Sequence, residues 1–125
     1  MQIPSGRRTL DGVLVVPPAA TGVVAFAHGS GSGRFSPRNQ FVARALQEGG
    51  LATLLLDLLE EDEAGDRKKV FDIGLLAGRL QSAADWLGDE PATRELPLGY
   101  FGASTGAGAA LVAAARAPAA VRAVV

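Results

Sequence analysis

The chain has 125 residues, of which 48% are hydrophobic, and this fits one globular domain with its own core. Because 12 basic and 13 acidic side chains give a net charge of −1, the sequence has no positive surplus for binding nucleic acid or an anionic membrane. With no Cys, one His, no signal peptide and no membrane span, we expect a cytoplasmic protein without a metal or a cofactor.

Short apolar runs alternate with segments of helical period, which predicts an α/β fold of three layers, with a mostly parallel sheet between helices. Residues 10–16 end at Pro17-Pro18 and predict an outer strand or a hairpin arm. Residues 22–28 predict a buried strand that leads into a glycine-rich loop over residues 29–33.

The first helix is predicted between Ser36-Pro37, an N-cap followed by an N1 proline, and Gly49-Gly50. A second buried strand follows over residues 51–56, with Asp57 behind it as a capping or loop hydrogen-bond residue. The buried stripe of the first helix is predicted to contain Phe41, Val42, Ala45 and Leu46.

The charged residues 60–69 predict a solvated loop. A second amphipathic helix over residues 72–88 is indicated by apolar side chains three and four residues apart. Residues 97–101 predict a third strand, residues 104–117 an Ala-rich helix, and residues 121–125 a fourth parallel strand. An open edge of Val and Ala at that strand favours self-association.

A G-x-S-x-G sequence, residues 102–106, stands where the third predicted strand turns into a helix. In a nucleophile elbow the Ser occupies a turn too tight for large neighbours, so Gly flanks it two residues away on either side. Ser104 is therefore a candidate nucleophile, at a helix N-terminus that would stabilise an oxyanion. The backbone N–H of Thr105 and one from Gly29, Ser30 or Gly31 would form the oxyanion hole.

Three segments together carry a family resemblance: residues 25–33, the strand that ends at Asp57, and residues 99–106. They resemble the N-terminal half of an α/β-hydrolase similar to the dienelactone hydrolase family. The resemblance implies Ser104 as nucleophile, Thr105 and Ser30 as oxyanion-hole donors, and a small ester or other acyl compound as substrate. Ser104 stands where the best-known dienelactone hydrolases have Cys.

The triad of this fold runs Ser, then Asp or Glu, then His, and none of these acidic or His residues follows Ser104. We therefore predict that residues 1–125 form a single domain, an incomplete hydrolase core. The full-length parent protein is expected to cleave an ester. The 125-residue chain alone is expected to have little or no activity. The single His28, beside the glycine-rich loop, suits a structural role.

Several alternatives remain open on the sequence alone. Ser104 could be only a helix N-cap. Residues 102–108 also match the G-x-x-x-G-x-G of short-chain dehydrogenases, which would bind NAD(P). The chain could instead be a non-catalytic fragment or an interaction module. Arg34 and Arg38 could hold a substrate carboxylate or be solvated charges.

Overall fold

The structure is a computed structural model that describes all of residues 1–125. Six strands form one sheet in the order β1-β2-β4-β3-β5-β6. None of the helices has the length and apolar composition needed to cross a membrane. The strands are β1 (Gln2–Ser5), β2 (Arg8–Val15), β3 (Val23–Ala27), β4 (Ala52–Leu56), β5 (Leu98–Gly102) and β6 (Val121–Val124). The helices are α1 (Pro37–Glu48), α2 (Glu61–Ala64), α3 (Arg67–Val70), α4 (Ile73–Asp89) and α5 (Thr105–Arg116).

The sheet is mostly parallel, as the alternation of apolar runs and helical segments predicts. β3 lies parallel to both β4 and β5, and β5 lies parallel to β6. β2 pairs antiparallel with β1 on one side and with β4 on the other. The larger core cluster joins one face of the sheet to α4 and α5, and a smaller cluster joins the other face to α1. These are the three layers of an α/β fold.

The sequence pattern misses β1 because a four-residue strand with Pro4 inside it is too short for a recognisable period. Its pairing with β2 nevertheless buries Ile3 completely, against the larger core cluster. The other strands and the three long helices lie within one or two residues of their predicted positions. Ser36 caps α1 as predicted, since its hydroxyl accepts a hydrogen bond from the Asn39 N–H.

The prediction of which face of α1 is buried is wrong, because the buried face is rotated about the helix axis from the predicted one. Phe41 is 69% exposed, and the buried residues of α1 are Asn39 and Ala43. The small side chain of Ala43 packs beside Phe26 and Leu55 in the smaller cluster, so the helix approaches the sheet there. Val42 and Leu46 are partly buried at its margin.

The charged residues 60–69 are mostly exposed, as predicted, but they form two short helices, α2 and α3, and not a loop. Glu63 of α2 is buried, and its carboxylate accepts hydrogen bonds from the guanidinium of Arg79 on α4, one of them 2.7 Å long. The same guanidinium donates to the Leu58 carbonyl at 2.9 Å. Composition does not indicate this pairing because the partner lies sixteen residues away on another helix.

The hydrogen bonds from Arg79 lower the pKa of Glu63 from 4.5 to about 2. A carboxylate whose pKa is lowered by folding stabilises the fold at pH values above the pKa that it has in the unfolded chain. This stabilisation is lost as the pH falls through the pKa that it has in the folded chain. We expect Glu63→Gln to lower the free energy of unfolding by about 3 kcal/mol at pH 7. In urea titrations, the difference in unfolding free energy between Glu63→Gln and wild type should shrink as the pH falls from 5 to 2.

Glu61→Gln is the matched control for that experiment, because Glu61 lies on the same helix, is exposed and forms no ion pair within the chain. Its unfolding free energy should stay within about 0.5 kcal/mol of wild type. Equal stability of the two variants at pH 7 would show that the Glu63–Arg79 pair has no net effect.

The two edges of the sheet are β1 and β6. β6 pairs only with β5, and the residues at this edge include Val124 and the exposed Val125. We propose that the 125-residue chain self-associates by strand pairing along β6. Light scattering at increasing concentration should detect dimers or larger species. Val124→Pro should reduce them, because Val125 bonds to Tyr100 of β5 and the backbone N–H of Val124 therefore faces the open edge. A monodisperse monomer at every concentration would contradict the proposal.

Candidate active site

Ser104 lies in a strained turn between β5 and α5. Its backbone has φ 57° and ψ −126°, and among the non-glycine residues only Ala19 also has a positive φ. The side chain is exposed and forms no capping hydrogen bond with α5. An N-cap residue has an extended φ and accepts such a bond, so the alternative of a simple helix cap is wrong. Strain of this kind is typical of functional positions.

Two glycines allow this turn to pack against the sheet. A Cβ on Gly102 would lie 2.6 Å from the Gly106 carbonyl oxygen. A Cβ on Gly106 would lie 2.0 Å from the Ala27 carbonyl oxygen and 2.5 Å from that of His28. Distances this short exclude every side chain at both positions. Gly102 is thus required by contact between the end of β5 and the first turn of α5, and Gly106 by contact between that turn and the end of β3.

The glycine-rich loop after β3 reaches Ser104. A Cβ on Gly29 would lie 2.9 Å from Ser104 Cβ and 3.6 Å from Ser104 Oγ. The Ala103 N–H also donates to the Ala27 carbonyl at 3.2 Å, so the two segments are joined directly. The predicted site residues Gly29, Ser104 and Thr105 are therefore neighbours in space.

Backbone donors in this region are unpaired. The N–H groups of Ser30, Gly31 and Thr105 take part in none of the hydrogen bonds of the chain. All three residues line one cavity of about 170 Å³ beside the loop. Unpaired N–H groups that share a cavity with the first turn of a helix can accept a developing oxyanion.

His28 has a structural role, as the sequence predicts. It is 6% exposed, and both ring nitrogens are occupied. Nδ1 donates to the Gly29 carbonyl at 2.9 Å, and Nε2 accepts from the Leu58 N–H at 2.9 Å. This pattern requires the neutral ring with its proton on Nδ1. The only His of the chain therefore joins the glycine-rich loop to the segment after β4 and is not available as a base for Ser104.

Asp57, at the end of β4, forms the loop hydrogen bonds predicted for it. Its Oδ1 accepts from the Arg34 N–H at 2.6 Å, and its Oδ2 accepts from the Arg34 guanidinium. A Cβ on Gly33 would lie 2.7 Å from Oδ1, so a larger residue there would displace the carboxylate. Arg34 also lies 3.7 Å from Asp11. Of the two candidate carboxylate-binding residues, Arg34 is thus paired within the chain, and Arg38 is exposed without an ion pair.

Three carboxylates near the loop, those of Glu60, Asp62 and Glu63, have oxygens within 4.8 Å of one another. Arg8 pairs with all three, and Arg79 pairs with Glu63. The Lys69 ammonium lies 3.3 Å from Glu63 as a third cation. Because three cations face three carboxylates, the cluster gives no support for a metal site.

Solved structures similar to this chain are hydrolases. Dienelactone hydrolase from Anabaena variabilis is 57% identical, with a TM-score of 0.96 over 99% of this chain and 59% of its own. An α/β hydrolase from Penicillium is 22% identical, with a TM-score of 0.84 over 99% of this chain and 43% of its own. An esterase from Pyrococcus furiosus is 19% identical, with a TM-score of 0.79 over 99% of this chain and 46% of its own. The latter two show the fold alone.

A curated relative has a different name. A Mycobacterium tuberculosis protein, present in two strains and provisionally named a phosphoribosyl transferase, is 55% identical over 125 residues. The match covers 100% of this chain and 28% of that protein. No family model matches the chain. That name belongs to the whole M. tuberculosis protein, and this chain spans little more than a quarter of its length.

The chain has the α/β-hydrolase fold and is similar to dienelactone hydrolase over nearly its whole length. The dehydrogenase alternative places its glycine motif after the first strand of the fold, whereas residues 102–108 follow β5. The geometry does not fit that alternative.

The close approach of α5 to β3 can be tested with one methyl group. Gly106→Ala should lower the unfolding free energy by at least about 3 kcal/mol, because the Ala27 carbonyl belongs to β3 and cannot move away without losing its hydrogen bond from the Ala103 N–H. Gly78→Ala is the matched control, since a Cβ there meets nothing within 4 Å on the exposed side of α4. That control should be neutral or stabilising by up to about 1 kcal/mol. Similar melting temperatures for both variants would contradict the packing argument.

Proposed function

We propose that these residues supply the nucleophile and the oxyanion hole of a serine hydrolase that cleaves a small ester or other acyl compound. The observation that carries the proposal is the strained, exposed Ser104 beside the unpaired N–H groups of Ser30, Gly31 and Thr105. The similarity to dienelactone hydrolase supports it.

In this mechanism the Ser104 Oγ attacks the carbonyl carbon of the ester and gives its proton to a base. The carbonyl oxygen becomes an oxyanion that accepts hydrogen bonds from the N–H of Thr105 and the N–H of Ser30 or Gly31. The alcohol leaves with a proton from the base, and water then hydrolyses the acyl-serine.

The base and the acid are proposed to come from outside residues 1–125. His28 is fully bonded, and no carboxylate of the chain forms a hydrogen bond with Ser104. Without its base, a Ser nucleophile loses on the order of 10⁴ to 10⁶ in rate. We therefore expect the 125-residue chain alone to show little or no turnover.

A chimera tests the proposal. Residues 1–125 replace the matched part of the Anabaena variabilis dienelactone hydrolase, and hydrolysis of 4-nitrophenyl acetate is followed by absorbance. The chimera should turn over the ester, and Ser104→Ala should lower kcat at least about 10³-fold, because it removes the attacking oxygen. Equal rates for the two proteins would remove Ser104 from the mechanism. An inactive chimera with native-like melting would favour a non-catalytic interaction module.

The oxyanion hole has its own matched pair of variants in the same chimera. Ser30→Ala keeps the backbone N–H and should change kcat less than about threefold. Ser30→Pro removes that N–H and should lower kcat about 10²-fold to 10³-fold with a smaller change in KM. If the two variants behave alike while both melt like wild type, the Ser30 N–H is not a donor to the transition state.

A further inference from the structure

His28 stands where β3 passes into the glycine-rich loop, and its ring is held by two backbone groups of fixed polarity. The Leu58 N–H can only donate, and it donates to Nε2 at 2.9 Å. The Gly29 carbonyl can only accept, and Nδ1 donates to it at 2.9 Å. One ring nitrogen must carry a proton while the other keeps a lone pair, so this arrangement exists only with the neutral ring.

The Gly29 carbonyl that binds His28 also closes the turn that carries the loop donors of the candidate oxyanion hole. It accepts from the Ser32 N–H at 3.2 Å, so Ser30 and Gly31 are the two central residues of a turn. The directions of their unpaired N–H groups therefore depend on the position of the Gly29 carbonyl. The His28 ring fixes that carbonyl and, through its other nitrogen, ties the turn to the segment after β4.

The cavity beside the ring offers no group that would stabilise a charged imidazole. His28 is 6% exposed, and no other ionisable side chain lines the cavity of about 170 Å³ that it borders. The strands β3 and β5 and the first turn of α5 carry no charged side chain. Burial without an opposite charge disfavours a cation.

The charged groups on the other surrounding elements are bonded elsewhere. Asp57, in the segment after β4, binds Arg34. Arg79 of α4 donates to the Leu58 carbonyl and to Glu63 of α2. The other charged side chains of β2, α2, α3 and their flanking segments are in ion pairs, namely Arg8, Asp11, Glu60, Asp62 and Lys69, or are exposed, namely Glu61, Asp66, Arg67 and Lys68. The hydrogen bonds of the His28 ring involve none of these groups.

A second proton on the ring would break its bond with Leu58. Imidazole side chains ordinarily take up this proton at about pH 6.5. Nε2 would then carry a hydrogen that faces the Leu58 N–H, and two donors inside the protein would repel each other. The Arg79 guanidinium on the Leu58 carbonyl adds a second positive charge to the same segment. The ring and the segment after β4 must then separate.

We propose that His28 is a positioning residue for the candidate oxyanion hole and that it acts only with a neutral ring, so that acid releases residues 29–32 from the segment after β4. The protonated ring keeps its bond to the Gly29 carbonyl, and the turn therefore moves with the ring. Because Gly29 lies against Ser104, this movement changes the distance between the nucleophile and the loop donors. The effect on catalysis rests on the proposed function, whereas the effect on the loop does not.

Hydrogen exchange of the Leu58 amide in the 125-residue chain follows the bond without turnover. Exchange at pH 7.5 and pH 5 is measured by mass spectrometry with fragmentation to single residues, and each rate is corrected for the intrinsic rate at that pH. Protection of Leu58 should fall at least about tenfold at pH 5, because its N–H loses the acceptor. Leu54, buried in the middle of β4, is the control and should change less than about twofold. Glu63 stays ionised over this range, since its pKa is about 2.

Two variants separate the proton from the shape of the side chain. In His28→Gln the amide oxygen can replace Nε2 as the acceptor for the Leu58 N–H, and it does not titrate. In His28→Asn the shorter amide can still donate to the Gly29 carbonyl but does not reach Leu58. Leu58 should therefore be protected at both pH values in His28→Gln and at neither in His28→Asn. If His28→Asn does not fold, the comparison of wild type with His28→Gln still decides.

The chimera with Anabaena variabilis dienelactone hydrolase tests the effect on catalysis. Both His28 and the base from outside residues 1–125 must be neutral, so kcat for 4-nitrophenyl acetate should fall in acid more steeply than one proton allows. His28→Gln should return the fall to a single proton. At pH 8, His28→Asn should lower kcat at least about tenfold with KM changed less than about threefold, and His28→Gln should recover most of that loss.

The outcomes separate this inference from the proposed function. Equal protection of Leu58 at both pH values in wild type overturns the inference, and so does an acid-induced loss in His28→Gln that matches wild type. Equally steep acid limbs in active wild-type and His28→Gln chimeras also overturn it. A chimera that hydrolyses no ester rejects the hydrolase function, whereas an acid-induced loss of Leu58 protection that His28→Gln abolishes would still show that His28 positions the loop.

Discussion

The contact between the first turn of α5 and the end of β3 is the constraint on which the site depends. Gly106 stands where a single Cβ would come within 2.0 Å of the Ala27 carbonyl oxygen. This approach brings α5 onto the sheet and leaves Ser104 in a left-handed backbone conformation with an exposed side chain. The same contact places Gly29 against Ser104. The strain at Ser104 is therefore maintained by the packing of the first turn of α5 together with local hydrogen bonds, from the Ala103 N–H to Ala27 and from the Ala107 N–H to the Ser104 carbonyl.

A second set of contacts fixes the glycine-rich loop from the opposite side. His28 joins the start of the loop to the Leu58 N–H, and Asp57 holds its far end through Arg34. The Leu58 carbonyl in turn accepts from Arg79, which also pairs with Glu63. A continuous network of hydrogen bonds thus runs from the candidate oxyanion hole to the buried ion pair. It gives α2 a fixed place beside the cavity, although four residues would not form a stable helix alone.

The fold was largely predictable because its signals are local. Apolar runs, the Ser36-Pro37 helix start and the spacing of apolar residues in α4 each report on their own segment. The strained turn at Ser104 was also predictable, since the glycine spacing of residues 102–106 reflects a steric requirement. The buried side of α1, the strand β1 and the helices α2 and α3 were not. β1 is too short, with Pro4 inside it, to show a period. The buried side of α1 and the helices α2 and α3 depend on partners distant in sequence, as Glu63 depends on Arg79, and a charged composition alone indicates solvent.

The claim that Ser104 is the reactive group is tested most directly by chemical trapping. The chimera with Anabaena variabilis dienelactone hydrolase is treated with a serine-directed fluorophosphonate, and the modified residue is located by peptide mass spectrometry. The account predicts one adduct within residues 1–125, on Ser104, that forms more slowly when Ser30→Pro removes the loop donor. An adduct on Ser30 or Ser32, or an unmodified Ser104 in a chimera that hydrolyses esters, would contradict it.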